Sequence, residues 1–317
     1  MVDPNYRKLV AYRKGALGDL IMIASCLYHL KDSYDHISLH CSHFARDIVG
    51  SFIEKYLVKD VQIFGDPPQP PPGITLLNSS NTLGIHPNGY PLSEGYPKVK
   101  MKHHLLYYFA KELGTEYPLK SIVLDPPPIP DKIQMVSYVT IHNKAGWSMY
   151  KEWGGWQEII DMLKKSYPTL GVYQIGGPND PQFNNIDGSF CGDSFDDNIA
   201  AQAGAQAHLG IDSVFNHTTN FEWRGRGKTP AVILWGSTQR EAAGYNHNLN
   251  LSLGLPCQPC FIEDPYQTGS TTDLPCSNPP GQTFEEPRHA CMAGLSIQNV
   301  FDSVVQILKR KQSNGNI

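Results

Sequence analysis

Hydrophobic and polar positions alternate along the chain in a repeating order. Residues 8–13 read as a short buried strand, Gly15 and Gly18 break it, and apolar residues then recur at helical spacing from 20 to 30. A second unit follows, with a strand at 36–41 and a helix at 44–56, then strands at 61–64 and near 74–77. This order predicts a parallel sheet covered by helices. Residues 66–73 carry five prolines and 86–97 are rich in Gly, Pro and Tyr, so both read as loops. A helix is expected over 100–113, and the Pro-rich stretch 124–130 reads as a stiff linker. The alternation then restarts, with strands at 136–142, 171–175, 207–211 and 231–235 and helices at 155–165 and 196–204. A closing helix over 297–310 carries Ile297, Val300, Val304, Ile307 and Leu308 on one side. The expected fold is α/β, two doubly wound halves divided near residue 130: an N-terminal domain 1–130 and a C-terminal domain 131–317.

A length of 317 residues suits two such cores. A net charge of -4 and a pI near 6.3 supply no global field for nucleic acid or an acidic membrane. No apolar run reaches ~18 residues and the first residues lack a signal-peptide core, so the expectation is a soluble, cytoplasmic protein.

Candidate chemistry lies where strands pass into helices. Gly18-Asp19 opens the first helix, where glycine lets a ligand approach the backbone and the first amides attract anions; Asp19 could equally be a helix cap. Lys151, on a loop after the first strand of the second half, could neutralise a departing phosphate, or be a solvated lysine beside packed tryptophans. Trp156 is expected in the core in either case. Gly176-Gly177-Pro178-Asn179-Asp180 is a turn through which a base or ribose could approach, with Asp180 accepting ribose hydroxyls; an unliganded tight turn has the same sequence. Asp212-Ser213-Val214-Phe215-Asn216-His217 follows a strand and offers amides, a hydroxyl and an imidazole to a diphosphate; capping with a half-buried histidine is the plainer alternative.

Seven cysteines are present. Cys26, Cys41 and Cys191 fall in helix- or strand-like patterns and are expected as buried thiols. Cys257-x2-Cys260-x15-Cys276-x14-Cys291 lies in a Pro- and Gly-rich segment, 257–291, with too little apolar content to hold itself together. Four thiolates including one Cys-x-x-Cys pair fit a closed structural zinc or iron site, against two disulfides or unconnected thiols. That segment contains a single basic residue, Arg288, which argues against a nucleic-acid-binding zinc module.

Together these motifs resemble glycosyltransferase family 9, the ADP-heptose heptosyltransferases of lipopolysaccharide and of autotransporter proteins. The resemblance is carried by Gly18-Asp19-Leu20, Lys151-Glu152-Trp153 with Trp156, Ile175-Gly176-Gly177-Pro178, and Gly210-Ile211-Asp212-Ser213 with His217. It is also carried by Cys257-Gln258-Pro259-Cys260 and Cys291-Met292. Val214-Phe215 stand where the family has Gly-Pro, and residues 66–100 and 218–230 match none of its motifs.

The resemblance implies a GT-B fold, two Rossmann-like domains with parallel sheets facing a central cleft, the acceptor side N-terminal and the nucleotide-sugar side C-terminal. It implies inverting, metal-independent transfer of a sugar, most readily heptose from ADP-heptose, to a hydroxyl of lipopolysaccharide, protein or glycan. Asp19 would be the general base and Lys151 would stabilise the leaving diphosphate. Gly18, Gly177, Asp180, Asp212, Ser213, Asn216 and His217 would bind the donor. Two other classes could use the same fold: a sugar-nucleotide epimerase, and a GT-B-like protein that binds without turnover.

Overall fold

The structure is a computed structural model, and it describes residues 7–13, 16–63, 76–78, 103–145, 151–256, 258–259 and 290–313. The chain forms two compact units, 1–122 and 123–317.

In the first unit, strands β1 (Lys8–Tyr12), β2 (His36–Cys41), β3 (Asp60–Ile63) and β4 (Leu76–Asn78) form a parallel sheet in the order β3-β2-β1-β4. Helix α1 (Leu17–Tyr28) is apolar nearly all round, and Leu20, Ile21, Met22, Ala24, Cys26 and Leu27 are each at most 1% exposed. Such a helix needs cover on more than one side. It packs against α2 (His43–Tyr56) and more closely against α3 (Leu105–Leu113). Ser42 caps α2 by accepting from the Ala45 amide, and His104 caps α3 by accepting at Nδ1 from the Leu106 amide.

In the second unit, β5 (Val123–Leu124) pairs with β10 (Glu222–Trp223), itself hairpinned to β11 (Gly227–Lys228). The expected linker 124–130 therefore begins as the edge of a small sheet, because its backbone groups find partners in 222–223. The main sheet comprises β6 (Tyr138–Ile141), β7 (Gly171–Gln174), β8 (Gly188–Ser189), β9 (Ala207–Ile211), β12 (Ala231–Leu234) and β13 (Leu249–Leu251). All its pairings are parallel and the order is β13-β12-β9-β6-β7-β8.

Every residue of β6, β7, β9 and β12 is buried, as expected for strands covered on both faces. On one face lie α4 (Trp156–Ser166), through Trp156, Ile159, Ile160 and Leu163, and α9 (Ile297–Ser313), through Val300, Val304, Ile307 and Leu308. Fully burying each such aliphatic side chain contributes roughly 1.5–3 kcal/mol. Trp156 is in this core, and Trp153 beside it donates from Nε1 to the Leu295 carbonyl at 3.0 Å. Helix α5 (Phe195–Gly204) is capped by Ser194; α6 (Val214–Thr218), α7 (Arg240–Ala243) and α8 (Ala290–Ala293) are short.

Cys26 and Cys41 are fully buried, and burial pushes both thiols up, Cys41 to about 11. Cys191 is half-buried rather than enclosed, because it follows the edge strand β8. Of the four clustered cysteines, Cys291 packs in the core on α8, 2% exposed, whereas Cys257, Cys260 and Cys276 lie outside the described residues. No helix among the described residues is long and apolar enough to cross a membrane.

Candidate functional site

The chain leaves β6 to build β7 and β8 on one side, then crosses back to β9 and builds β12 and β13 on the other. The carboxyl ends of β6 and β9 flank the point where the direction of winding reverses. In open parallel sheets that crevice is where ligands bind, since the loops diverge there. The predicted second-unit residues gather around it.

Asp212, one residue past β9, is 6% exposed. Its Oδ2 accepts from Lys151 Nζ at 2.6 Å and from Thr238 Oγ1, beyond β12, at 2.6 Å. Burial alone would raise the Asp212 carboxyl, but the Lys151 ammonium, the two hydrogen bonds and nearby His217 outweigh it and hold it below the usual range. Lys151 is therefore neither solvated nor unpartnered: 16% of its side chain is exposed, and its charge is held at the strand ends.

Ser213 occupies the N-cap position of α6 but makes no side-chain cap. Its hydroxyl instead lies 3.0 Å from Nδ1 of His142, the residue that follows β6. The other ring nitrogen, Nε2, faces Asp180 Oδ2 at 3.7 Å. Asp180 Oδ2 also accepts from the Gly177 amide at 2.9 Å, closing the turn after β7. Gly176 must be glycine, because a Cβ there would collide with that carboxylate. Burial raises the Asp180 carboxyl, while the Gly177 amide and Lys144 pull it back.

Asn216 and His217 are buried behind this turn. Asn216 Nδ2 donates to the Ala243 carbonyl at 2.9 Å, and His217 Nδ1 lies 3.0 Å from the Tyr245 hydroxyl. Both side chains tie α6 to the segment following β12. Phe215 is buried between the His142 and Phe195 rings, so the bulk that replaces a family Gly-Pro packs inward.

In the first unit, Gly18 and Asp19 lie in the first turn of α1, and Asp19 is not the cap: Ala16 holds that position, at a positive φ of 61°. The Asp19 carboxylate instead forms an ion pair with Arg13, which follows β1 and is 2% exposed. Arg13 also acts electrostatically on Glu112 of α3. Both Glu112 carboxylate oxygens are buried and accept no hydrogen bond among the described residues, and burial pushes this acid up to about 7.

Three residues of these clusters escaped the sequence reading: His142, Thr238 and Arg13. Arg13 and His142 directly follow β1 and β6 and Thr238 lies four residues past β12; a polar residue closing an otherwise apolar run was the available signal for the first two.

No protein-family model matches the chain, and no curated protein matches its sequence. Solved structures do match. The iron-containing dodecameric glycosyltransferase TibC of enterotoxigenic E. coli H10407 superposes with a TM-score of 0.66 at 15% identity, over 96% of this chain and 77% of that one. The family 9 glycosyltransferase of Veillonella parvula DSM 2008 gives 0.60 at 12% identity, over 96% and 98%. E. coli ADP-heptose LPS heptosyltransferase II gives 0.61 at 12% identity, over 96% and 99%. The chain has the GT-B fold of the family 9 glycosyltransferases. At these identities the likeness is one of fold, and the site residues rest on the geometry above.

Proposed function

We propose that the chain transfers a sugar, heptose from ADP-heptose, to a hydroxyl acceptor with inversion and without a catalytic metal. The observation that carries this reading is the paired constellation at the carboxyl ends of β6 and β9, Lys151-Asp212-Thr238 beside Asp180-His142-Ser213, in a fold shared with TibC, whose structure has been solved with ADP-D-β-D-heptose.

Departure of a diphosphate is helped by a cation already positioned where negative charge develops. Lys151 is such a cation, and Asp212 with Thr238 sets its place. Gly177 and Asp180 border the nucleoside, Ser213 faces the donor, and Asn216 and His217 hold the turn from behind. Asp19, with Gly18 beside it, takes the acceptor proton as the new bond forms, since a carboxylate within reach makes an alcohol a competent nucleophile.

Cys257, Cys260, Cys276 and Cys291 would hold an iron or zinc ion. Four thiolates leave no open position, so the metal would stabilise the segment rather than react. Two observations fit this: Cys291 is fixed in the core, and Gln258, next to Cys257 in sequence, donates from Nε2 to the Gly236 carbonyl at 2.7 Å, which fixes Gln258 just past the end of β12. Metal analysis of the purified protein tests it; Cys257→Ser and Cys291→Ser should each lose the ion.

The deciding experiment offers the protein a panel of sugar nucleotides, follows release of the nucleoside diphosphate, and then adds hydroxyl acceptors. Cleavage restricted to one ADP-sugar and dependent on an acceptor is the expected result. Donor binding with no cleavage under any acceptor would make the chain a binding protein, and release of an isomerised sugar nucleotide would make it an epimerase.

A further inference from the structure

We propose that Glu112 is a positioning residue for the acid–base step: it shares the Arg13 guanidinium with Asp19 and so sets how strongly Asp19 takes the acceptor proton. This rests on the transferase reading above, in which Asp19 is the base.

A carboxylate paired with a buried arginine is a weak base, because the cation favours its charged form. Asp19 is in that position: Arg13, 2% exposed, forms its ion pair at the first turn of α1. A second acid on the same guanidinium would offset that, and α3 supplies one. Helix α3 packs on α1 and carries Glu112 into the field of Arg13, whose charge lowers the proton affinity of this acid.

Both Glu112 carboxylate oxygens are enclosed and accept no hydrogen bond among the described residues. A carboxylate that serves only to hold structure is met by donors, as Glu54 is by Arg46 at 3.0 Å and by the Val61 amide at 3.3 Å. Glu112 is instead an acid that burial keeps protonated up to about 7. The other ionisable groups on α1 are Cys26, whose thiol burial pushes up, and Tyr28. On α3 they are Lys111, which is exposed, and Tyr108, whose hydroxyl is buried; His104 caps the far end of that helix.

Below neutrality Glu112 is uncharged, the Arg13 charge acts on Asp19 undivided, and the base is weak. Above it Glu112 is a carboxylate, and two negative groups on one cation raise the proton affinity of Asp19. The acceptor hydroxyl then gives its proton to Asp19 as its oxygen bonds to the anomeric carbon and the diphosphate departs. Glu112 acts on this step only through Arg13.

Two measurements test this. In protein carrying 13C at the aspartate side-chain carboxyls, the Asp19 resonance is identified by its loss in Asp19→Asn. It should move in two steps, the upper one near pH 7 where Glu112 ionises. Glu112→Gln, nearly the same in shape and always neutral, should remove the upper step. An Asp19 resonance with no step between pH 6 and 8 in the unmodified protein overturns the proposal without need of any variant.

In a transfer assay, kcat/KM for the acceptor should rise between pH 6 and 8. Glu112→Gln should hold it at the low-pH level, roughly three- to ten-fold below the unmodified protein at pH 8, the effect of a modest loss of base strength. Glu112→Asp should restore a pH-dependent rise, and ADP affinity by calorimetry should be the same in all three proteins. A Glu112→Gln profile that keeps the rise, or a loss equal at pH 6 and pH 8, overturns the proposal; the equal loss is what a merely structural role would give. Absence of transfer by the unmodified protein with every donor and acceptor overturns the transferase reading instead, and the Asp19 titration then decides by itself whether Glu112 shares Arg13.

Discussion

Lys151 Nζ donates to Asp212 Oδ2 at 2.6 Å across 61 residues of sequence, and both groups are largely shielded from water. Removing one partner of such a pair strands the other charge. Lys151→Ala should therefore cost about 3 kcal/mol of stability and abolish transfer, measured by urea denaturation and by donor turnover. Thr238→Val should cost about 1–2 kcal/mol, because the Asp212 oxygen loses one donor but keeps the ammonium.

Asp19→Asn keeps the shape of the side chain and removes its charge. It should lower turnover by about 10²–10⁴ while leaving donor affinity unchanged, in a transfer assay paired with donor titration. Undiminished turnover would remove Asp19 from the reaction.

His142 and His208 are buried and held to about 3, in each case chiefly by burial. Their folded values lie below the unfolded value of 6.5, so the unfolded chain binds more protons between those limits. Stability contributed by keeping these rings neutral is present above pH 6.5 and lost as pH falls toward 3. Between pH 7 and pH 5 each should cost about 2 kcal/mol. Equilibrium denaturation at the two pH values checks this, and replacing His208 by Gln should flatten the slope.

Glu112 has the opposite sign. Its folded value of about 7 lies above the unfolded 4.5, so the benefit of burying the neutral acid is present below pH 4.5 and lost as pH rises through 7. Glu112→Leu should stabilise the protein more at pH 8 than at pH 5, as melting temperatures at both values would show. A uniform effect would mean that Glu112 is not a buried acid.

Much of this architecture is legible in the pattern of apolar runs, since a strand buried on both faces is mostly apolar, with its few polar residues such as Thr140, Gln174 and His208 hydrogen-bonded inside, and a covering helix must carry one apolar side. The runs that became β6, β7, β9 and β12, and the stripe from Val300 to Leu308, announce themselves in this way. The two-residue strands β5, β8, β10 and β11 do not, because strands so short have no periodicity; they exist through the partners that fold beside them.

Among site residues, Asp19 and Ser213 were visible as polar groups at strand-to-helix transitions, but each also read as a helix cap. Local sequence alone could not separate those roles, because capping and ligand binding favour the same side chains at the same place.

What the sequence by itself determined is the order of strands and helices, and the polar residues waiting at the strand ends, because burial and backbone propensity act over neighbouring residues. What only the tertiary structure decided is who meets whom: Arg13 with Asp19, His142 with Ser213, and Thr238 and Lys151 on one oxygen of Asp212. In the second unit those meetings depend on β9 crossing back to lie beside β6. That pairing joins residues about 70 positions apart, and hydrogen bonding and charge then settle which side chain each one faces.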